Sequence, residues 1–544
     1  MAHLYECRAN LRHLMSVGLL RGEPRVHDVR NAHEEKGTSV KARKQSAWAR
    51  KWSMKMLEHD EPKSRIAALR PPCQAEHRMQ SLRLTRWLPE TLLALLLAFF
   101  ALRELGTFPA AWLDDSLFMI VARAMAEGRG YVLPILGYDW PNPYILAVGP
   151  TLIAPAALSI HFFGATVAAA RIPMVIYLFL AAGTFYLYAR MLFGRRNALW
   201  ATAFVITLSA FVNTGKPVLG EVPAFFFLML GLLCLRLRCH SMWLTITAGI
   251  AFGLSVVTKL PYGLLFPALA VAAIIVAWKR QWYELRTIVV IGTIALLTLL
   301  ACAPFLGALE PGFFREINIF VFGGGDDLVL MNLLRRDPLQ LLRVPYLHYS
   351  LFFILGGVGF FRTRKEFSRT EAATIGTLIV LFALYFLNGA GWYRQLLPST
   401  LLLTLAVPSG IFMLTKKRLG IAFLVIILAL QGWWQLTYGG SSRSAEAEDA
   451  AKIVSERFRD TDLVFLAPDI FFRLDNNPHW LYQSSEMEQS ARRPTEVRQR
   501  MEETQCWPVV NKVTAEQQKE WAEILTPLSG RFFIIAPPSP CPQP

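Results

Sequence analysis

Long apolar runs constrain this chain more than any other feature. A helix needs ~20 apolar residues to cross the hydrocarbon core of a bilayer. Runs close to that length recur near 88–104, 168–191, 197–213, 222–238, 242–258, 261–278, 287–305, 346–361, 371–388, 395–414 and 419–437. The sequence therefore predicts an all-α polytopic transmembrane protein of about eleven spans. Composition adds one point: 18% of residues are charged, against ~25% in soluble domains, and the deficit lies in the runs. The stretch 143–163 is also apolar, but Pro150 and Pro155 interrupt it. It reads as a helix lying along, or dipping into, the outer interface.

Basic residues give the orientation. Arg190, Arg195 and Arg196 form one cluster, and Arg236 and Arg238 a second. Lys279, Arg280 and Arg286 form a third, Arg362, Arg364, Lys365 and Arg369 a fourth, and Lys416, Lys417 and Arg418 a fifth. They fall in every second connection, as cytoplasmic loops do. This predicts a cytoplasmic N-terminus and an external C-terminus. A full span at 143–163 would break the alternation. The net charge of +16 sits in these anchors and forms no continuous cationic face, which excludes nucleic acid as a partner. The seven cysteines show no CxxC pair or Cys/His spacing of a zinc site.

Three regions follow. Residues 1–86 are basic and aperiodic, the pattern of a disordered cytoplasmic tail. Two readings stand: a tail that touches anionic lipid, or a natural start at Met79. Residues 87–438 form the transmembrane domain, with an external loop at 105–167. Residues 439–544 read as a small external α/β domain, with a helix at 445–459, strands at 462–467 and 531–536, and a polar helical stretch at 486–525. Cys506 and Cys541 are the only cysteines predicted outside, so a disulfide between them is open.

The chemistry-bearing stretch is Trp112-Leu-Asp-Asp, followed by an amphipathic helical pattern that ends at Gly128 and Gly130. Asp114 and Asp115 come directly after the first apolar run, at a predicted membrane surface. Carboxylates are costly at the bilayer centre and are tolerated at its interface. A third acid, Glu221, follows Gly215-Lys-Pro-Val-Leu-Gly and opens a span on the same predicted surface. Alone it reads as a plain N-terminal capping carboxylate; facing Asp114, it reads as part of a site.

Taken together these motifs resemble the polyprenyl-phosphate-dependent membrane glycosyltransferases of the GT-C fold, which include aminoarabinose transferases and protein O-mannosyltransferases. The resemblance rests on Trp112–Asp115, Val121–Gly128, Phe163-Gly164, Ala170–Pro173, Phe193–Arg196, Gly215–Pro223, Ala251–Pro261 and Trp392–Pro398, and covers about residues 88–400. It implies that a sugar carried on a polyprenyl phosphate passes, with inversion, to an acceptor on a lipid, glycan or protein at the external face. By this resemblance Asp114 matches the catalytic acid. Asp115 stands where Glu is usual, and Glu221 where many relatives have Asp.

One departure matters. Many members carry a phosphate-binding lysine before the interfacial helix, whereas Tyr138–Pro143 contains none. The replacement cation is sought among Arg394, Lys216, Lys259 and Arg123, with Arg394 expected to lead and Lys216 to help; Tyr393 is counted beside them as substrate-binding. Lys216 and Lys259 read equally well as snorkelling interfacial residues. No cofactor or metal site is assigned, though a divalent cation is compatible with the sequence. Gly323–Asp327 reads as a solvated loop, His161 and His348 as lone histidines, and Trp433 and Trp434 as an aromatic belt. The rival class is a transporter or flippase of lipid-linked sugars. Transporters place ionisable groups mid-membrane, whereas here the acids gather at one face.

Overall fold

The computed structural model describes residues 87–141, 143, 147–238, 241–307, 347–388, 392–437, 441–484 and 495–537. Residues 1–86, the Gly323–Asp327 stretch, the side chain of His348 and Cys541 lie outside this set.

Helix α1 (Leu88–Leu102) leads by a short loop into α2 (Leu113–Ala126). A hairpin of β1 (Val132–Ile135) and β2 (Tyr138–Pro141) and then α3 (Pro150–Phe163) complete the first loop region. The two prolines of α3 are accommodated, Pro150 in the first turn and Pro155 within. Its Leu158, Phe162 and Phe163 are exposed. It has 14 residues, fewer than the ~20 that a span needs.

The next helix, α4 (Val167–Thr207), is continuous except at Gly194, whose φ of 76° and ψ of 168° break it. The two spans expected here are thus two helices that meet at Gly194, the residue type that takes this conformation without strain. After α5 (Ser209–Gly215) come α6 (Glu221–Leu237), α7 (Met242–Thr258), a 3-10 turn at Leu260–Leu264, α8 (Leu265–Trp278) and α9 (Trp282–Cys302). Then follow α10 (Leu347–Thr363), α11 (Arg369–Asn388), α12 (Tyr393–Thr404), α13 (Val407–Leu414) and α14 (Lys417–Thr437). Helices α12 and α13 meet at a bend of 57°. Among the described residues five helices are long and apolar enough to cross a membrane, or six with the bent pair taken as one. The shorter α1, α3, α7 and part of α10 are also apolar.

The C-terminal region holds α15 (Ser441–Arg457), β3 (Leu463–Phe465), α16 (Pro468–Phe471), β4 (Trp480–Tyr482), α17 (Thr495–Glu503), β5 (Val509–Lys512), α18 (Ala515–Glu520), β6 (Leu525–Ser529) and β7 (Phe532–Ile535). The strands form one mixed sheet in the order β4-β3-β5-β7-β6, with β3 parallel to β4 and β5, and β7 antiparallel to β5 and β6. The stretch expected to be helical at 486–525 is a helix only in part: β5 runs through it, with short helices on either side. Val509 and Val510 are β-branched, and Val510 is buried in the sheet against Ile534, which outweighs the polar surroundings.

This sheet is not an independent bead. Its core residues Leu463, Phe465, Trp480 and Phe532 join one buried cluster with Leu117, Val121, Leu133 and Ile153 of α2, the hairpin and α3. A backbone bond from Leu136 N to Tyr482 O (2.8 Å) ties the hairpin turn to β4. Arg123, on α2, donates to the carbonyl of Leu474 at 2.5 Å and to Asn476 Oδ1 at 3.0 Å. The first loop and the C-terminal sheet therefore fold as one body around α2. Cys506 is disulfide-bonded.

Candidate active site

Four elements bring charged side chains to one point: the first turn of α2, the N-terminus of α6, the C-terminus of α7 and the N-terminus of α12. Trp112 caps α2 in extended conformation, so Asp114 and Asp115 lie in its first turn, where the helix dipole favours negative charge. Glu221 opens α6 after Gly220, which has a φ of 89°. A side chain at 220 would meet the Thr258 carbonyl at 3.2 Å and Lys259 Cδ at 3.4 Å. Glycine there lets the starts of α6 and of the 259 turn approach closely. Lys259 is fixed by a bridge from its backbone to Val148 and by Leu260 N donating to Ala147 O.

Arg394 is the centre. Its Nη1 lies 2.5 Å from Asp114 Oδ2, and its Nε lies 3.9 Å from Glu221 Oε1. Nη1 is off hydrogen-bond alignment, so the close pair is chiefly electrostatic. The guanidinium carbon lies 4.7 Å from the Trp112 ring and 4.3 Å from the Trp392 ring, and the two tryptophans meet edge to face. Such cation–π contacts hold the arginine plane in place. Lys259 Nζ lies 3.7 Å from Glu221 Oε1 and 5.2 Å from the Phe118 ring. Burial pushes the Lys259 amine below its ordinary value, and Glu221 opposes that shift. Two carboxylates thus face two cations, all largely buried. Glu221 Oε2 is buried with no hydrogen-bond partner.

The remaining expected residues go elsewhere. Asp115 is fully buried; its Oδ2 lies 2.5 Å from Arg171 and its Oδ1 accepts from Val218 N at 2.7 Å. Arg171 also donates to the carbonyls of Leu105 and Pro109. This pair ties the 105–109 loop, α2, α4 and the loop that carries Glu221. It sets the site's geometry, and it leaves neither oxygen of Asp115 open to an acceptor. Arg123 is engaged with the C-terminal region and Glu127. Lys216 is 1% exposed; its amine donates to Arg103 O at 2.5 Å and sits 5.4 Å from the Phe108 ring. Burial pulls that amine down to about 8. It is not brought to the Asp114 cluster, and Lys259 takes the place expected for it beside Arg394. Tyr393 donates to Thr400 Oγ1 at 3.0 Å within its own helix.

Sequence reasoning counted Arg171 in the Ala170–Pro173 motif but gave it no role, and it missed the aromatic clamp of Arg394. The signal for Arg171 was present, since it is the one charged residue in the apolar stretch 167–189, and such a residue implies a buried partner. Among the described residues no group of three His, Cys, Asp or Glu side chains is placed to hold a metal ion.

Residues 155–319 match the family model of the dolichyl-phosphate-mannose-protein mannosyltransferases. ArnT from Cupriavidus metallidurans in the apo state superposes with a TM-score of 0.58 at 14% identity, over 83% of this chain and 98% of that one. ArnT bound to undecaprenyl phosphate gives 0.58 at 13%, over 85% and 100%. The fold is that of the GT-C membrane glycosyltransferases. The archaeal oligosaccharyltransferase AglB from Archaeoglobus fulgidus, in complex with an inhibitory peptide and a dolichol-phosphate, shares it at a TM-score of 0.52 and 13% identity, over 81% of this chain and 71% of its own. No curated protein matches in sequence. The GT-C resemblance drawn from the motifs is thus borne out in the fold, and the matching family segment contains Glu221 and Lys259.

Proposed function

We propose that the protein is an integral membrane glycosyltransferase that moves a sugar from a polyprenyl-phosphate carrier to a lipid, glycan or protein acceptor at the external face, with inversion. The observation that carries this reading is the pairing of Asp114 and Glu221 with Arg394 and Lys259 in a single buried cluster. Transfer from a lipid phosphate needs both kinds of group at one point. The acceptor hydroxyl or amine attacks the anomeric carbon, and the bond from that carbon to the phosphate oxygen breaks. Asp114 takes the acceptor proton. The leaving phosphate keeps the bonding pair, and its growing charge is met by Arg394, whose fork suits phosphate oxygens, and by Lys259. Glu221 Oε2, buried without a partner, is an acceptor open to a substrate hydroxyl. The ArnT structure of the same fold is bound to undecaprenyl phosphate, which supports this class of carrier.

The test is the lipid fraction of cells that lack the protein. A polyprenyl-phosphate sugar should accumulate there and be consumed again when the wild-type chain, but not Asp114→Asn, is restored. No accumulation, or equal rescue by Asp114→Asn, overturns the assignment.

A further inference from the structure

Of the four charged groups in the site, only Asp114 is carried by α2; Glu221 opens α6, Lys259 caps α7 and Arg394 lies in the first turn of α12. The place of the carboxylate against the two cations therefore depends on how α2 is held. Asp115 pins one point near its start, through Arg171 and Val218 N. One pinned point leaves the roll of a helix about its axis open. The apolar packing of α2 resists roll, but such packing is non-directional.

The directional hold at the other end is Arg123, the one cation on α2. It lies nine residues after Asp114, two and a half turns on, so it faces the opposite side of α2 about 13 Å along the axis. It cannot touch the atoms that react at Asp114. Its side chain is 14% exposed, and its fork is fully engaged. Nη1 donates to Leu474 O at 2.5 Å and to Phe472 O at 3.4 Å, Nη2 to Asn476 Oδ1 at 3.0 Å, and Nε to Glu127 Oε1 at 2.8 Å. Asn476 Nδ2 closes the ring on Glu127 Oε1 at 3.1 Å. The segment it grips is itself fixed. Phe472 and Leu474 are buried in one cluster with Leu117 and Val121 of α2, and Arg473 donates to Asp469 O. The buried Asp469 pairs with Lys512 of β5 at 2.8 Å. Burial lowers the Arg473 guanidinium from its ordinary value, and the charges of Asp469, Arg171, Glu448 and Asp115 all reach it. Residues 469–476 thus run beside α2 from its Asp115 end to Arg123.

We propose that Arg123 is a positioning residue for transfer: by clamping α2 to residues 472–476 it fixes the roll of the helix, and with it the place of the Asp114 carboxylate. The proposal rests on the reading of Asp114 as the proton acceptor. A carboxylate about 5 Å off a helix axis moves by about 1 Å for a roll of about ten degrees. The C-terminal sheet then acts on the reaction without touching substrate.

The full chain in detergent is assayed with the polyprenyl-phosphate sugar extracted from cells that lack the protein, at varied donor concentration. In Arg123→Gln, kcat should fall by at least about tenfold, as a misplaced reacting group requires, while the KM for donor stays within about twofold because Arg394 and Lys259 lie on other helices. Asn476→Ala removes a partner from an exposed position and should lower kcat in the same direction; it decides the point where Arg123→Gln does not fold. Hydrogen exchange of the chain without substrate gives a readout independent of turnover. Amides of α2 should exchange at least about tenfold faster in either variant, the effect of losing a charged hydrogen bond, and those of α6 and α7 at the wild-type rate. A normal kcat in the folded variants, a raised KM with kcat unchanged, or α2 exchange equal to wild type overturns the proposal. Absence of transfer by the wild-type chain would count against the glycosyltransferase reading instead, and the exchange comparison would then decide the clamp.

Discussion

At Asp115 both carboxylate oxygens are held, one by Arg171 and one by Val218 N, with no exposure to solvent. At Asp114, one residue earlier, a single close partner is Arg394 and the side chain keeps 17% exposure. The adjacent acids therefore predict opposite failures. Asp115→Asn leaves Arg171 buried without its counter-charge, a loss of ~3–5 kcal/mol, and should lower the melting temperature sharply. Asp114→Asn should melt near wild type and lose transfer by ~100-fold or more. The resemblance singled out Asp114 as the catalytic acid but still counted Asp115 as catalytic, because the partner that makes Asp115 structural lies 56 residues away. Arg394 was legible from its motif, while its clamp between Trp112 and Trp392 required the fold. Arg394→Lys should be impaired despite keeping its charge, and Arg394→Ala should lose ~2–4 kcal/mol of transition-state stabilisation. Transfer rates at varied donor concentration decide this; kinetics unchanged in both variants would place the phosphate elsewhere. Lys216 makes a separate prediction. Its amine is lowered in the fold from 10.5 to about 8, so between those values the unfolded chain binds the proton that the folded chain has released. This group therefore makes stability rise with pH across that window. Comparing melting temperatures of wild type and Lys216→Met at pH 8 and pH 10 should show wild type gaining on the variant, and a widening deficit would contradict the burial.

Elements reach the site through close backbone approaches rather than through long side chains. Gly149, just before α3, shows this most directly: a Cβ there would lie 2.4 Å from the Val257 carbonyl and 2.9 Å from Val257 Cγ1. Both neighbours belong to the last turn of α7, which Lys259 caps. Gly149→Ala must push α3 from α7 and carry Lys259 with it. Overpacking of this kind costs ~1–3 kcal/mol, so the variant should melt lower and bind donor more weakly even though residue 149 touches no substrate. An alanine variant with wild-type donor affinity would separate Lys259 from the phosphate. Helices were legible in the sequence because each carries many apolar residues in register. The break at Gly194 falls within the expected 192–196 gap, since only a glycine takes its φ of 76° freely. Strands of three to five residues, such as β4 and β6, carry too few positions to establish a period of two. Their pairing with distant partners, β3 with β4 and β5 with β7, leaves no local mark at all.

Helix α6 connects the two polar ends of the molecule. Its first residue is Glu221, in the charged cluster; its last turn carries Arg236, which pairs with the buried Glu371 at 2.8 Å. Just beyond, Arg238 pairs with Glu284, which also accepts from Thr370 at 2.8 Å. At the start of α1, Glu90 pairs with Arg195 at 2.6 Å, beside the Gly194 break. A helix of 17 residues is about 25 Å long, close to the hydrocarbon thickness. The ion pairs of Glu90, Glu371 and Glu284 thus gather at the end where the basic clusters lie, and Asp114, Glu221, Arg394 and Lys259 gather at the other. The charge bias of the loops then predicts which end faces the cytoplasm. Lys279, exposed after α8, belongs to the basic end, and Glu456, exposed late in α15, belongs to the region that packs on α2. With the native cysteines other than the disulfide-bonded one and its partner replaced, Lys279→Cys and Glu456→Cys are exposed to a membrane-impermeant thiol reagent in intact cells. Glu456→Cys should label at once, and Lys279→Cys only after the membrane is opened. Labelling of both from the outside would put the basic end and the reactive end on one side, which a single passage of α6 between them does not allow.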